Sequence, residues 1–112
     1  MKVARLAVLA LVAVALAACS NSTGSSSGGH GNSITVSNNS FNPTPDTAAA
    51  GVVTFTWSNA SNTHNVNWLS GPTSPAPSAT MTTGTYQPTL VAGTYTYHCT
   101  IHAGMNGTIV VQ

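Results

Sequence analysis

Charge is nearly absent from this chain: its 112 residues hold two Lys or Arg and one Asp or Glu, 3% in all. Both basic side chains, Lys2 and Arg5, stand at the start, so from residue 6 onward Asp46 is the one formally charged side chain. No phosphate-binding patch can be assembled from such a composition, which speaks against nucleic acid as a partner. Long-range electrostatic steering toward any partner is weak for the same reason, and docking must rest on apolar contacts and hydrogen bonds. Cysteine is scarce too, limited to Cys19 and Cys99. The length suits one small domain and not two. Beyond residue 18 no stretch repeats its apolar residues at the helical period, which leaves strands to build the core.

What is present begins with an unbroken apolar run, Leu6 to Ala18, behind the basic start. At 13 residues it is too short to span a bilayer as a mature helix, and Ser, Asn and Gly follow soon after. Residues 1–18 therefore read as a cleaved signal. Leu16-Ala17-Ala18-Cys19 resembles a bacterial lipobox, in which the cysteine is acylated and becomes the new N-terminus. The expectation is an extracytoplasmic protein of the cell envelope, anchored to a membrane through lipid on Cys19. Residues 19–32 join that cysteine to a Gly/Ser linker, SNSTGSSSGGHGN, with no apolar face to bury. As a flexible coil it spans about 20 Å on average. His30, inside the linker, reads as solvated. With Cys19 lipidated, Cys99 has no disulfide partner within the chain. An unpaired thiol in an exported protein points to metal ligation.

From Ser33 the composition turns to alternating β-formers, and residues 33–112 are read as the folded domain. Ile34 and Val36 alternate with polar neighbours, as do Val53, Phe55 and Trp57. His64 to Leu69, if extended, sets His64, Val66 and Trp68 on one face. Thr94 to Cys99 alternates cleanly, with Tyr95, Tyr97 and Cys99 on one side and His98 on the other. Thr108 to Val111 makes a closing strand. Turn clusters separate these runs: Asn42-Pro43-Thr44-Pro45, Ala50-Gly51, the proline-bearing stretch from Ser70 to Ser78, and Ala92-Gly93. Many short strands with Gly/Pro turns predict an all-β, antiparallel β-sandwich.

The chemistry gathers near the C-terminus, where Cys99, His102 and Met105 are spaced C-x2-H-x2-M, with an isolated His64 upstream. A soft thiolate, two imidazoles and a thioether are the ligand set of a blue-copper electron-transfer site. Thiolate and thioether favour Cu(I), and imidazole accepts both oxidation states; zinc would take Cys and His but gain little from Met. Cys99 ends a strand pointing inward, and the following loop can return His102 and Met105 to the same point. His64 must come from a different strand.

Two blocks carry a family resemblance: His64-Asn65-Val66, and Gly93-Thr94-Tyr95-Thr96-Tyr97-His98-Cys99 followed by His102, Met105, Gly107 and Val110. With Phe41-x-Pro43 they make the chain resemble the cupredoxins, the plastocyanin and amicyanin branch above all. The resemblance implies a cupredoxin-like Greek-key sandwich, with His64, Cys99 and His102 as equatorial ligands of one type 1 copper ion and Met105 as the weak axial one. It also implies that Asn65 ties the two ligand loops together through Thr100, and that Tyr95 is a structural core residue. The chain departs from the pattern in three places. The two-residue gap between His102 and Met105 is the amicyanin spacing, the prolines of amicyanin-type loops are replaced by Ile101 and Ala103, and His98 stands where plastocyanins carry an aromatic. A His-Cys pair also resembles the bridge between two copper centres in copper nitrite reductases and multicopper oxidases, but too few histidines remain here for a second centre.

The function these readings imply is a monomeric single-electron carrier cycling Cu(I) and Cu(II), not an enzyme, meeting redox partner proteins near His102. The competing reading is a copper-binding or copper-delivery protein of the cell envelope.

Overall fold

In the computed structural model of the protein, residues 31–58 and 60–112 are described. The signal reading of 1–18, Cys19, most of the linker and His30 lie outside them. Among the described residues no helix is long and apolar enough to cross a membrane. Ten strands follow in order: β1 Ser33–Ser37, β2 Ser40–Asn42, β3 Asp46–Ala48, β4 Gly51–Val52, β5 Thr54–Trp57, β6 Asn67–Ser70, β7 Gly84–Tyr86, β8 Thr89–Leu90, β9 Gly93–His98 and β10 Asn106–Val111.

The strands build an all-β sandwich of two four-stranded sheets, β2-β1-β5-β7 and β3-β10-β9-β6, with β4 and β8 paired separately. Each large sheet contains one parallel pair, β1 with β5 and β3 with β10, so the sheets are mixed rather than purely antiparallel. The reason is connectivity. Between β1 and β5 the chain crosses to the other sheet and back, so β5 enters beside β1 from the same end. The long central strands β9 and β10 pair antiparallel in unbroken register from His98↔Asn106 to Gly93↔Val111.

Period-two alternation decides what is buried. Ile34, Val36, Phe55 and Trp57 from one sheet meet Tyr95, Tyr97, Ile109 and Val111 from the other, with Phe41, Val66 and Leu90 closing the core. Each such aliphatic or aromatic side chain removed from water contributes about 1.5–3 kcal/mol. Tyr97 is the hub: its ring stands edge-on to Phe41 at 4.9 Å, to Phe55 at 5.2 Å and to Trp68 at 5.4 Å between centroids. Tyr95 is fully buried, and its hydroxyl donates to the Val91 carbonyl. Asp46, the one charged side chain among the described residues, is buried in β3. Burial first, and the Asp46 carboxylate second, push the Tyr97 phenol well above its ordinary range, so it stays neutral.

The sandwich has two unlike ends. β9 leads from Gly93 to His98 and delivers Cys99 at one end; β5 delivers Trp57 there, whose indole donates to the His64 carbonyl at 3.1 Å. At the other end β1 begins. Asn32 Nδ2 donates to the carbonyls of Ala49 at 2.8 Å and Val52 at 2.9 Å, and its Oδ1 accepts from the Ala49 N–H at 2.9 Å. Its own carbonyl accepts from the Thr54 N–H at 2.8 Å. Asn32, the last residue of the Gly/Ser tract, is thus firmly tied.

Candidate metal centre

Cys99 follows the last residue of β9, and its position in the alternation turns the thiol inward, where it is buried and makes no disulfide. The next residues turn over the end of the sandwich. Gly104, at φ +81°, takes a left-handed conformation that L side chains rarely adopt, which lets the turn close in so few residues. Backbone bonds lock it: the Cys99 N–H donates to the Met105 carbonyl at 2.9 Å, and the Met105 N–H donates to the His102 carbonyl at 3.3 Å. Met105 is buried beside Cys99, and β10 leaves from Asn106.

His64 arrives from the segment before β6. It sits in an isolated antiparallel bridge with Met81, its N–H and carbonyl both bonded to Met81 at 3.0 Å. With the Trp57 indole on the same carbonyl, the His64 backbone is held from two sides. The imidazole is completely buried. Its Nδ1 lies 3.9 Å from Cys99 Sγ, and His102 Nδ1 lies 3.8 Å from the same sulfur. The two rings approach to 4.7 Å between centroids, and the three ligand atoms lie within 4.8 Å of one another. His64 Nε2 is buried without a hydrogen-bond partner among the described residues. The tautomer protonated there leaves the Nδ1 lone pair facing the cluster.

Behind these donors, Asn65 Nδ2 donates to Thr100 Oγ1 at 2.8 Å, and the Thr100 N–H donates to Asn65 Oδ1 at 2.8 Å. The residue after His64 is in this way joined to the residue after Cys99, across 35 positions of sequence. His98 lies on the opposite face of β9 from Tyr97, half-buried and opposite Asn67 and Asn106 in the neighbouring strands. It is not part of the cluster. Sequence reasoning missed the Trp57 and Met81 supports. Neither carries a local signal, since both act through contacts made only when distant strands meet.

Burial holds the His64 imidazole below its ordinary 6.5, and the nearby His102 pushes in the same direction. In the unfolded chain His64 takes up a proton at a higher pH than it does in the metal-free fold. Stability present above 6.5 is therefore lost as pH falls below that value. We expect the urea midpoint of the metal-free domain to drop between pH 7.5 and 5.5, and His64→Phe to flatten that dependence. An unchanged slope in the variant would assign it elsewhere.

The sequence profile of the cupredoxin-like domain family matches residues 7–111. Among solved structures, the chain is similar to a purple cupredoxin from Nitrosopumilus maritimus, with 20% identity and a TM-score of 0.61 over 71% of this chain and 98% of that one. At that identity the likeness speaks for the fold alone. A reduced tryptophan-to-tyrosine variant of amicyanin matches at 29% identity and TM-score 0.58, over 71% of this chain and 80% of that one. A copper-containing nitrite reductase from Thermus scotoductus matches at 24% identity and TM-score 0.56, over 71% of this chain but 22% of that one. This fold therefore also occurs as one part of an enzyme. No curated protein matches the chain at a significant level.

Proposed function

We propose that this chain, which belongs to the cupredoxin-like domain family, carries single electrons on one copper ion held by His64, Cys99, His102 and Met105. The observation that carries the reading is the convergence of one thiol and two imidazole nitrogens at one end of the sandwich. Cys99, His64 and His102 would each offer one ligand atom to the ion, and these atoms lie within 4.8 Å of one another. The sulfur lies 3.9 and 3.8 Å from the two nitrogens, near enough for all three to share one ion. The donor set adds to this: a thiolate with two imidazoles suits copper, and the thioether of Met105, next to Cys99 through the backbone bond, suits Cu(I) better than zinc.

Bound copper would supply the one-electron couple. The chain's own residues do the rest. Cys99 would hold the ion as a thiolate, the form in which a cysteine ligates metal. His64, fully buried, contributes a neutral nitrogen and keeps water out. His102 is only half-buried and stands beside the exposed Ile101, which supports an approach of redox partners at that edge. Burial of Cys99 and His64 favours a carrier over a delivery protein, whose cargo must pass to another ligand set. It also favours a carrier over a catalyst, since four donors leave no open position for a substrate. We further propose that lipid on Cys19 tethers the domain to the outer face of a membrane in the cell envelope, a reading supported by Leu16-Ala17-Ala18-Cys19 after the apolar run.

The test is the visible spectrum. Cu(II) added to the chain from residue 20 onward is expected to give an intense blue thiolate-to-copper band that Cys99→Ser abolishes. A colourless or simple tetragonal Cu(II) complex in the unmutated domain would sink the assignment.

A further inference from the structure

We propose that the domain rests on the lipid surface by the end remote from Cys99, with Val52 and Val91 against the lipid and Ile101 and His102 turned to the aqueous side. The inference rests on the reading of Cys19 as the lipid-bearing residue and adds an orientation to it.

The geometry begins at Asn32. Its side chain and carbonyl make four hydrogen bonds, to Ala49, Val52 and Thr54, and so fix where the chain coming from Cys19 joins the domain. That point lies at the start of β1, beside the start of β5, and β1 and β5 run parallel toward Trp57 under His64. The tether therefore joins the domain at the end remote from the cluster. β9 measures the separation. From Gly93 to Cys99 it rises by about 20 Å.

The same remote end carries an apolar pair. Val52 stands opposite Thr89 in the β4–β8 pairing, and Gly51 stands opposite Leu90. Leu90 faces inward and is buried, so Thr89 and Val91 face outward on the same side as Val52. Val91 directly follows β8, and continuing the alternation one residue beyond the strand places it diagonal to Val52. They are 50% and 49% exposed. The only charged side chain of the described residues is the buried Asp46, so this end offers no side-chain charge that lipid contact would have to strip of water.

Two valines alone are too little to bind a membrane. The tether changes that by turning docking into an intramolecular event. Read from its Gly/Ser composition as a flexible coil, the tract from Cys19 to Asn32 would reach about 20 Å on average and so keep the remote end at a high effective concentration next to the bilayer. Ile101, 46% exposed at the cluster end, is a domain length further away. For Ile101 to meet the lipid the domain has to turn over, which carries the point where the tether joins, at Asn32, away from the lipid.

The experiment uses the full lipidated, metal-free chain in phosphatidylcholine nanodiscs carrying a gadolinium-chelating headgroup. The amide signals of Val52 and Val91 are expected to lose severalfold more intensity than those of Ile101 and His102. In the double variant Val52→Asp with Val91→Asp, both exposed positions, that excess should disappear while the rest of the amide spectrum stays in place. Equal broadening at the two ends, or stronger broadening at Ile101 and His102, overturns the orientation, as does an excess that survives the double variant. The mass of the mature N-terminus is read on the same sample. An unacylated Cys19 would remove the tether reading and the orientation with it, whereas an acylated Cys19 with equal broadening removes the orientation alone.

Discussion

Gly107→Ala is expected to destabilise the domain by about 3 kcal/mol, at the upper end of the cost of forcing extra volume into a packed core. A Cβ at residue 107 would lie 2.3 Å from two carbons of the Tyr97 ring and 2.6 Å from its hydroxyl oxygen. A flexible surface side chain could move aside. Tyr97 cannot, because its ring is wedged edge-on among Phe41, Phe55 and Trp68 and is fully buried. Gly107 itself is held in place, since it pairs with Tyr97 inside the β9–β10 ladder, one pair in from the end at His98 and Asn106. Urea denaturation of the metal-free domain reads the effect directly. Gly107→Ala combined with Tyr97→Leu should recover part of the loss, because the smaller side chain vacates the space. If the single variant unfolds at the unmutated midpoint, the ring does not sit as closely on Gly107 as the structure has it.

Asn65→Ala is expected to weaken copper binding by about 10- to 100-fold, the usual cost of losing a group that orients metal ligands. Both amide atoms of Asn65 are engaged, one giving a hydrogen bond to the Thr100 hydroxyl and the other accepting one from the Thr100 N–H, each 2.8 Å long. They connect the segment carrying His64 to the loop that begins at Cys99. Cutting them costs about 1–2 kcal/mol of fold stability, since the bonds are solvent-accessible and water replaces part of them. The larger consequence falls on the ligands, whose separation is then set by the backbone alone. Competition against a copper chelator measures the affinity, and Asn65→Gln tests geometry against chemistry, because the longer amide keeps both functions in the wrong place. Unchanged affinity in Asn65→Ala would show that the Trp57 and Met81 bonds to His64 suffice to hold the site.

Strands of four or more alternating residues were legible in the sequence: Ile34 and Val36 in β1, Phe55 and Trp57 in β5, Tyr95 and Tyr97 in β9, and Ile109 and Val111 in β10 all face the core. The short strands β2, β3, β4, β7 and β8 were not. Two or three residues show less than two full periods, and such segments extend because a neighbouring strand offers them hydrogen bonds. Trp68 lies in β6 as the alternation suggests, but the ladder skips a residue between Trp68 and Ser70, leaving Leu69 bulged and exposed. No local pattern announces that bulge.

The order of residues alone settled the donor types and the loop that carries three of them. Cys99, His102 and Met105 stand within seven residues of one another, and a loop so short, between two strands that pair side by side, cannot hold them far apart. It determined as well that the surface would be almost free of charge, because composition does not depend on how the chain folds. Only the fold brought His64 to Cys99, since a separation of 35 positions leaves that meeting to strand pairing and to the Met81 bridge. It alone buried Asp46, and it alone set Asn32 at the end remote from Cys99, because the direction in which a strand runs through a sheet is fixed by its neighbours and not by its own residues.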